Sequence, residues 1–301
     1  MDHVAAFVVT FRRDRSLRTV LASLAEQTDT PVAVLVVDNG SSAHTAAVCD
    51  EFRDRLAIDY VASDNVGPAG GTALAMEELP RRHPEVSWLL RIDDDRPLPS
   101  PTFLAEHLRR AVDLVTTHPT TGIVGRDGAV WDWRRARLRP RPVDRDPAPV
   151  DYVRTGYFPL YRVAMVREVG TFRSDLFFGM TEVEYGLRVG QAGWLQWAVG
   201  RDPVHSRPRV ELDDWRRYYS IRNTTVLLKE QGRPAAAWRL GLARGIGRPL
   251  IGAMRSPRRA LRGLRLGAMA LRDARRGRMG LVVRPVPPRR GGAELHEMPL
   301  S

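Results

Sequence analysis

The sequence predicts an α/β fold, a mostly parallel sheet with helices on both faces, and three observations carry the prediction. First, apolar runs at 4–10 (VAAFVVT), 32–37 (VAVLVV), 58–62 (IDYVA) and 88–92 (WLLRI) alternate with segments whose apolar residues recur at helical spacing. Second, each run stops in polar or glycine-rich sequence, where sheets of this kind bind their ligands. Third, the run from Trp88 feeds straight into Asp93, Asp94 and Asp95 before Arg96-Pro97-Leu98-Pro99 ends any strand.

Composition narrows the class. The 301 residues are 43% hydrophobic and 27% charged, ordinary for a globular chain long enough to bury a full core. A single cysteine, Cys49, excludes a disulfide framework and a cysteine zinc site. The start, MDHVAAFVVTFRR, has none of the layout of a secretory signal, and no stretch has the length of a transmembrane helix, so a cytoplasmic enzyme is expected. The net charge of +12 raises the question of nucleic acid. Against that reading, Lys229 is the only lysine, the excess charge lies late, between Arg233 and Arg290, and no zinc-finger, RNA-binding or paired-helix motif is present.

In chain order, residues 16–27 place Leu17, Val20, Leu21 and Leu24 on one helical face. Asp38-Asn39-Gly40 is a turn by composition; as a site, Asp38 offers an acceptor for the imide N–H of a pyrimidine, with Thr10 beside it. Helix is expected over 43–55, then a glycine-rich loop over 64–71 (DNVGPAGG), with helix resuming at Thr72. That loop is either a connection or a place where glycines let the backbone approach a pyrophosphate. It matches neither the G-x-G-x-x-G fingerprint nor the Walker loop. The three aspartates are either a solvated acidic turn or a seat for a hard divalent cation that shares its oxygens with phosphate.

Further on, residues 131–149 read as a low-order, arginine- and proline-rich loop. In DLFFGMTEVEYGLRVGQAGWLQW (175–197), Glu182 opens a helix. Acids suit a first helical turn, and a carboxylate at a helix mouth also suits a general base. His205, in a short proline-bounded loop, is either a surface histidine or a ligand completing a metal site begun by Asp93 and Asp95.

Taken together, residues 4–228 resemble the inverting family-2 glycosyltransferases of the GT-A fold. The motifs that carry the resemblance are the strand ending Val-Thr-Phe-Arg, Val36–Ser41, Asn65–Gly71, Ile92–Asp95, the Glu182–Arg188 helix and Tyr218–Asn223. Asn-x-Gly-x-Ala-Gly-Gly and Glu-Tyr-Gly-Leu-Arg are most similar to galactofuranosyl- and rhamnosyltransferases. The resemblance implies a UDP- or dTDP-sugar donor and a glycan or lipid-linked acceptor. It implies that Thr10, Arg12 and Asp38 line the nucleotide pocket, and that Asn65, Gly67, Gly70 and Asp94 lie by the donor. It further implies that Asp93, Asp95 and His205 hold Mn²⁺ or Mg²⁺, and that Glu182 is the catalytic base. The family usually has aspartate at the base position, so glutamate is a departure, and the Gln-x-x-Arg-Trp motif of processive synthases is missing. Addition of one or a few sugars is therefore expected.

The expected organisation is a catalytic domain over 1–228, a basic amphipathic helical region over 229–284, and a disordered tail over 285–301. The helical region either packs on the catalytic domain or rests on anionic membrane at the inner face of the cell. Two rival functions stand beside the first. A nucleotidyltransferase would need a glycine- and lysine-rich signature where this chain has Phe11-Arg12-Arg13. A non-catalytic glycan- or lipid-binding relative would bind without turnover.

Overall fold

The computed structural model describes residues 2–132, 137–140, 146–200, 214–252 and 256–285. The first half alternates as expected: β1 (Val4–Thr10), α1 (Asp14–Ala25), β2 (Val34–Asp38), α2 (Ala43–Asp50), β3 (Ile58–Ala62), α3 (Gly67–Arg82), β4 (Trp88–Asp93) and α4 (Phe103–Thr117). Then follow β5 (Thr121–Gly125), β6 (Gly128–Asp132), β7 (Arg137–Pro140), β8 (Ala148–Pro149), β9 (Tyr152–Val153), β10 (Leu160–Arg162) and α5 (Val163–Val169). The remainder holds a 3₁₀ turn (Ser174–Leu176), α6 (Thr181–Gln191), β11 (Leu195–Ala198), α7 (Asp214–Glu230), α8 (Pro234–Leu242), a π-helical turn (Ala243–Gly247), α9 (Arg248–Gly252) and α10 (Pro257–Arg276).

The main sheet runs β3-β2-β1-β4-β10-β5-β11-β8. Its β3-β2-β1-β4 half is parallel, and β10 enters antiparallel between β4 and β5. Parallel strands covered on both faces are mostly apolar, which explains the runs at β1 and β2 and, apart from the buried Arg91, at β4. Alternate side chains go to opposite layers. Ala6, Val8, Val34 and Val36 pack against α1 residues Leu17, Val20 and Leu21. Ala5, Phe7, Leu35 and Val37 pack against α3 residues Ala73, Met76 and Leu79.

The structure departs from the sequence reading in several places. Helix α2 stops at Asp50 and the chain turns through 51–55, with Arg53 donating to the Ile58 carbonyl at 2.7 Å. Helix α3 begins at Gly67, inside the stretch read as a loop. Within the stretch read as a low-order loop, 131–132 and 137–140 belong to the antiparallel strands β6 and β7, where Arg139 pairs with Asp132 and the Trp131 N–H donates to Asp151, while 133–136 and 141–145 lie outside the described residues. The helices after 229 pack onto α7, through Leu271 and Ala270 against Tyr218 and Ile221. Because α7 itself runs from Asp214 to Glu230, one continuous helix spans the boundary expected at 228.

Candidate active site

The parallel pairing of β1 with β4 sets Val9 beside Asp93, so Thr10 and Asp94 leave the sheet together at its carboxyl edge. There the Thr10 hydroxyl donates to Asp94 Oδ2 at 2.9 Å. Arg13, just beyond β1, donates from one Nη1 to Asp94 Oδ1 at 3.0 Å and to Asp95 Oδ2 at 2.9 Å. Burial pushes the Asp94 carboxyl up to about 6, opposed by Arg13 and the Thr10 hydrogen bond and reinforced by Asp95 and Asp93. Crowded carboxylates in low dielectric favour any additional cation.

Asp93 is half-buried and lies 3.5 Å from Arg91 through Oδ1. Its Oδ2 faces Gly156, where a Cβ would come within 2.9 Å of it. Glycine at 156 thus keeps the space in front of that oxygen free. Among the described residues no group of three or more His, Cys, Asp or Glu side chains is arranged to hold a metal. That does not count against Mg²⁺ or Mn²⁺, since such ions bind through one or two carboxylates and take the rest of their shell from substrate phosphates and water. Asp93 and Asp95 supply hard oxygens of that kind, so the residues present fit the group. His205 lies outside the described residues.

The other expected site residues are placed differently from one another. Asp38 is fully buried and turns its carboxylate inward: Oδ1 accepts from the Gly40 N–H at 2.8 Å, and Oδ2 from the Ser42 N–H at 2.7 Å and the Tyr60 hydroxyl at 2.9 Å. The turn-forming role read from its sequence is therefore real in this structure. Arg12 takes φ +57° and sets its guanidinium 5.3 Å from the Phe11 ring centroid, beside Gly40. The Asn65 side chain accepts from the Gly67 N–H at 3.1 Å, and the Ala69 N–H donates to the Phe177 carbonyl at 3.3 Å. With Pro68 lacking a donor, these bonds leave little of the first turn of α3 for a phosphate. The glycines serve close packing: a Cβ on Gly67 would meet the Phe177 carbonyl at 2.5 Å, and one on Gly70 would meet Val66 at 2.7 Å.

The turn that Gly67 touches also carries the base candidate. Phe177, Gly179 and Met180 all have positive φ (62°, 73° and 62°), and α6 starts immediately after them. Non-glycine residues in this region are strained by roughly 1–3 kcal/mol each and persist only where surroundings fix them. Glu182 is half-buried in the first turn of α6 and accepts from the Thr181 hydroxyl at 3.1 Å. Its neighbour Glu184 is buried and bound by Arg188 through two bonds of 3.0 and 3.1 Å, and Arg188 also donates to the Val169 and Thr171 carbonyls. One acid of the pair is thus committed to structure, while among the described residues no such cation is paired with the other. Burial raises the pKa of Tyr161 on β10, Arg91 opposes, and the charges of Glu182 and Asp93 add to the rise.

Arg13 was missed by sequence reasoning. Its signal was a cation after the first strand, opposite acids ending a strand that parallel pairing would place alongside. Arg222 and Asn223, fully buried on α7 at the end of the Tyr218–Asn223 motif, grip the 175–180 turn.

Comparison with known proteins bears on this arrangement. The fold is similar to those of several solved proteins. A mannosyltransferase from Pyrobaculum calidifontis, solved with GDP-Man and Mn²⁺, aligns over 91% of this chain and 75% of its own, with TM-score 0.52 and 17% identity. S. aureus TarS residues 1–349 with UDP align over 91% of this chain and 92% of that one, with TM-score 0.52 and 14% identity. Against the longer TarS chain the match spans only 39% of that chain. GalNAc-T7, solved with UDP, GalNAc and Mn²⁺, gives TM-score 0.56 at 10% identity over 76% of this chain and 48% of its own. At these identities the likeness shows the fold alone. No curated protein matches the sequence. The glycosyl transferase family 2 model matches residues 5–170, more than half of the 301, and the chain belongs to that family.

Proposed function

We propose that the protein is a metal-dependent, inverting, non-processive glycosyltransferase that moves one sugar from a UDP- or dTDP-linked donor to a hydroxyl of a glycan or lipid-linked acceptor. Galactofuranose and rhamnose are the sugars favoured by the Asn65–Gly71 and Glu184–Arg188 sequences. The observation that carries the proposal is the acidic edge of the sheet: Asp94, held by Thr10 and Arg13 where β1 and β4 end, with Asp93 and Asp95 on either side of it.

In this reading Asp93 and Asp95 hold the divalent cation, and Arg13 fixes Asp94 and Asp95 so that their charges stay gathered. The bound ion would neutralise charge developing on the departing diphosphate. The acceptor oxygen attacks the anomeric carbon, its proton passes to Glu182, and the bond to the diphosphate oxygen breaks on the opposite face, which inverts the centre. Thr10 and Arg12 flank the nucleotide. Asp38 acts there through the turn it stabilises or, once the pocket opens, through the imide N–H of the base.

The C-terminal helices supply a membrane face in this proposal. Ile251, Leu250 and Leu261 are 82%, 54% and 52% exposed near the α9–α10 connection, among the arginines Arg248, Arg258 and Arg265. No described helix is long and apolar enough to cross a membrane. Exposed apolar side chains with exposed arginines close by in sequence suit the surface of an anionic bilayer, where a lipid-linked acceptor would be met. A thermal-shift screen of UDP-, dTDP- and GDP-sugars with and without Mn²⁺, followed by turnover of the stabilising donor, tests the proposal. Stabilisation and turnover support it; binding without turnover on any glycan or polyprenyl acceptor favours the non-catalytic relative.

A further inference from the structure

The strained turn before α6 is gripped by two neighbouring residues of α7, Arg222 and Asn223. The Asn223 side-chain amide donates to the carbonyls of Leu176, Phe178 and Gly179 at 3.0, 2.8 and 2.9 Å. Arg222 donates to Asn223 Oδ1 at 2.8 Å, to the Leu176 carbonyl at 2.9 Å and to the Gly280 carbonyl at 2.9 Å, with the Tyr219 ring 4.8 Å from its guanidinium. Both residues are fully buried. Two of the carbonyls that Asn223 holds, those of Phe178 and Gly179, belong to the residues directly preceding Met180, the positive-φ residue from which α6 starts.

Backbone in this conformation needs external constraint to persist. The constraint here is aimed at the peptide units after Leu176, Phe178 and Gly179, the last of them one residue short of the helix that carries Glu182. Arg222 in turn fixes the amide of Asn223 by engaging its oxygen, leaving both N–H groups for the turn. The chain after α10 closes the arrangement: the Gly280 N–H donates to the Asp175 carbonyl, and the Val282 and Val283 N–H groups donate to the Tyr219 hydroxyl. Residues 280–283 thus lock the clamp from the outer side.

We infer that Asn223, oriented by Arg222, is a positioning residue for the transfer: it fixes the Phe178–Met180 backbone so that Glu182 stands at the acceptor hydroxyl. This rests on the reading of Glu182 as the base. It goes beyond that reading by assigning part of the catalytic rate to a side chain on α7 that is buried away from solvent and holds only backbone. Displacing a reacting group by about 1 Å costs on the order of 10²-fold in rate.

The test is a double-mutant cycle on the full chain, using the donor and acceptor that give turnover, with Asn223→Ala, Glu182→Gln and both together. A positioning role predicts that Asn223→Ala lowers kcat by roughly 10–100-fold with the donor KM within about twofold, and costs less than about twofold when Glu182 is already glutamine. Equal losses in the two backgrounds, or a raised donor KM with kcat intact, overturn the inference while leaving the base assignment standing. Full turnover by Glu182→Gln alone overturns the base assignment and the clamp's target with it. Asn223→Ser, which retains one donor, carries the same cycle if the alanine variant yields no folded protein, and an additive result there is equally fatal.

Discussion

Thr10 and Asp94 are joined by a 2.9 Å hydrogen bond across two strands that are 84 residues apart in sequence. The bond exists because β1 and β4 are parallel neighbours in one register, and it ties their ends together at the acidic edge of the sheet. Arg13 then ties Asp94 to Asp95, so the arrangement is a network in which charge, burial and strand order agree.

The two acids of α6 make opposite predictions. Glu182→Gln keeps shape and should lower turnover by about 10²–10⁴-fold, the usual worth of a general base, with the melting temperature nearly unchanged. Glu184→Gln removes the carboxylate that binds Arg188 and should lower stability by about 1–3 kcal/mol in chemical denaturation, with kcat of the folded fraction largely kept. Reversal of these two outcomes would move the base to Glu184.

Gly67→Ala should be destabilising out of proportion to one methyl. The residue has φ +73°, and an added Cβ would sit 2.5 Å from the Phe177 carbonyl, so both backbone and packing resist it. A loss of about 1–3 kcal/mol is expected from urea titration. An unchanged midpoint would mean that the turn at Phe177 moves freely, contrary to the close packing described.

Stability should fall with acid in a manner traceable to His107. The imidazole is buried against Phe103 and bonded to the Phe158 carbonyl at 2.8 Å, and burial pushes its pKa down to about 4, with Arg126 and Arg110 adding to the effect and the carbonyl opposing it. The folded state therefore holds it neutral, while the unfolded chain takes up a proton near pH ~6.5. Its contribution is complete above that pH and is lost as pH falls through about 4, on the order of 3 kcal/mol in all. Urea midpoints between pH 7 and pH 4 should drop for the native sequence and drop less for His107→Gln. Identical slopes in the two proteins would remove His107 as the cause.

The membrane face can be tested without touching the site. Leu250→Ser, Ile251→Ser and Leu261→Ser combined should reduce co-sedimentation with phosphatidylglycerol-containing vesicles, and raising salt should weaken binding of the native protein by screening its arginines. Salt-insensitive binding that survives the triple substitution would assign the interaction elsewhere.

What the sequence disclosed follows from range. The strands of the parallel half were legible because strands such as Val34–Asp38 are buried on both faces and carry no polar interruption until their ends. The Asp93–Asp95 edge was legible for the same reason. The start of α3 was not: glycine and proline at 67–71 are poor helix formers, and the helix begins there because the bare backbone fits against Val9 and Phe177, contacts invisible to local propensity. The β6–β7 strand pair was hidden by its arginines and prolines, since its pairing rests on Asp132–Arg139 and on Asp151 across the sheet. Arg13 and Asn223 were illegible as site-shaping residues because their partners lie 81 and 44 or more residues away.

The central claim is that Asp93 and Asp95 bind a divalent cation through which the nucleotide sugar is held. Its most direct test is calorimetric titration of the stabilising donor into native, Asp93→Asn and Asp95→Asn protein, each with Mn²⁺ and with EDTA. The account predicts tight binding only for the native protein with Mn²⁺, and weakening by an order of magnitude or more in EDTA or in either variant. Donor affinity that is equal in all six titrations would contradict it.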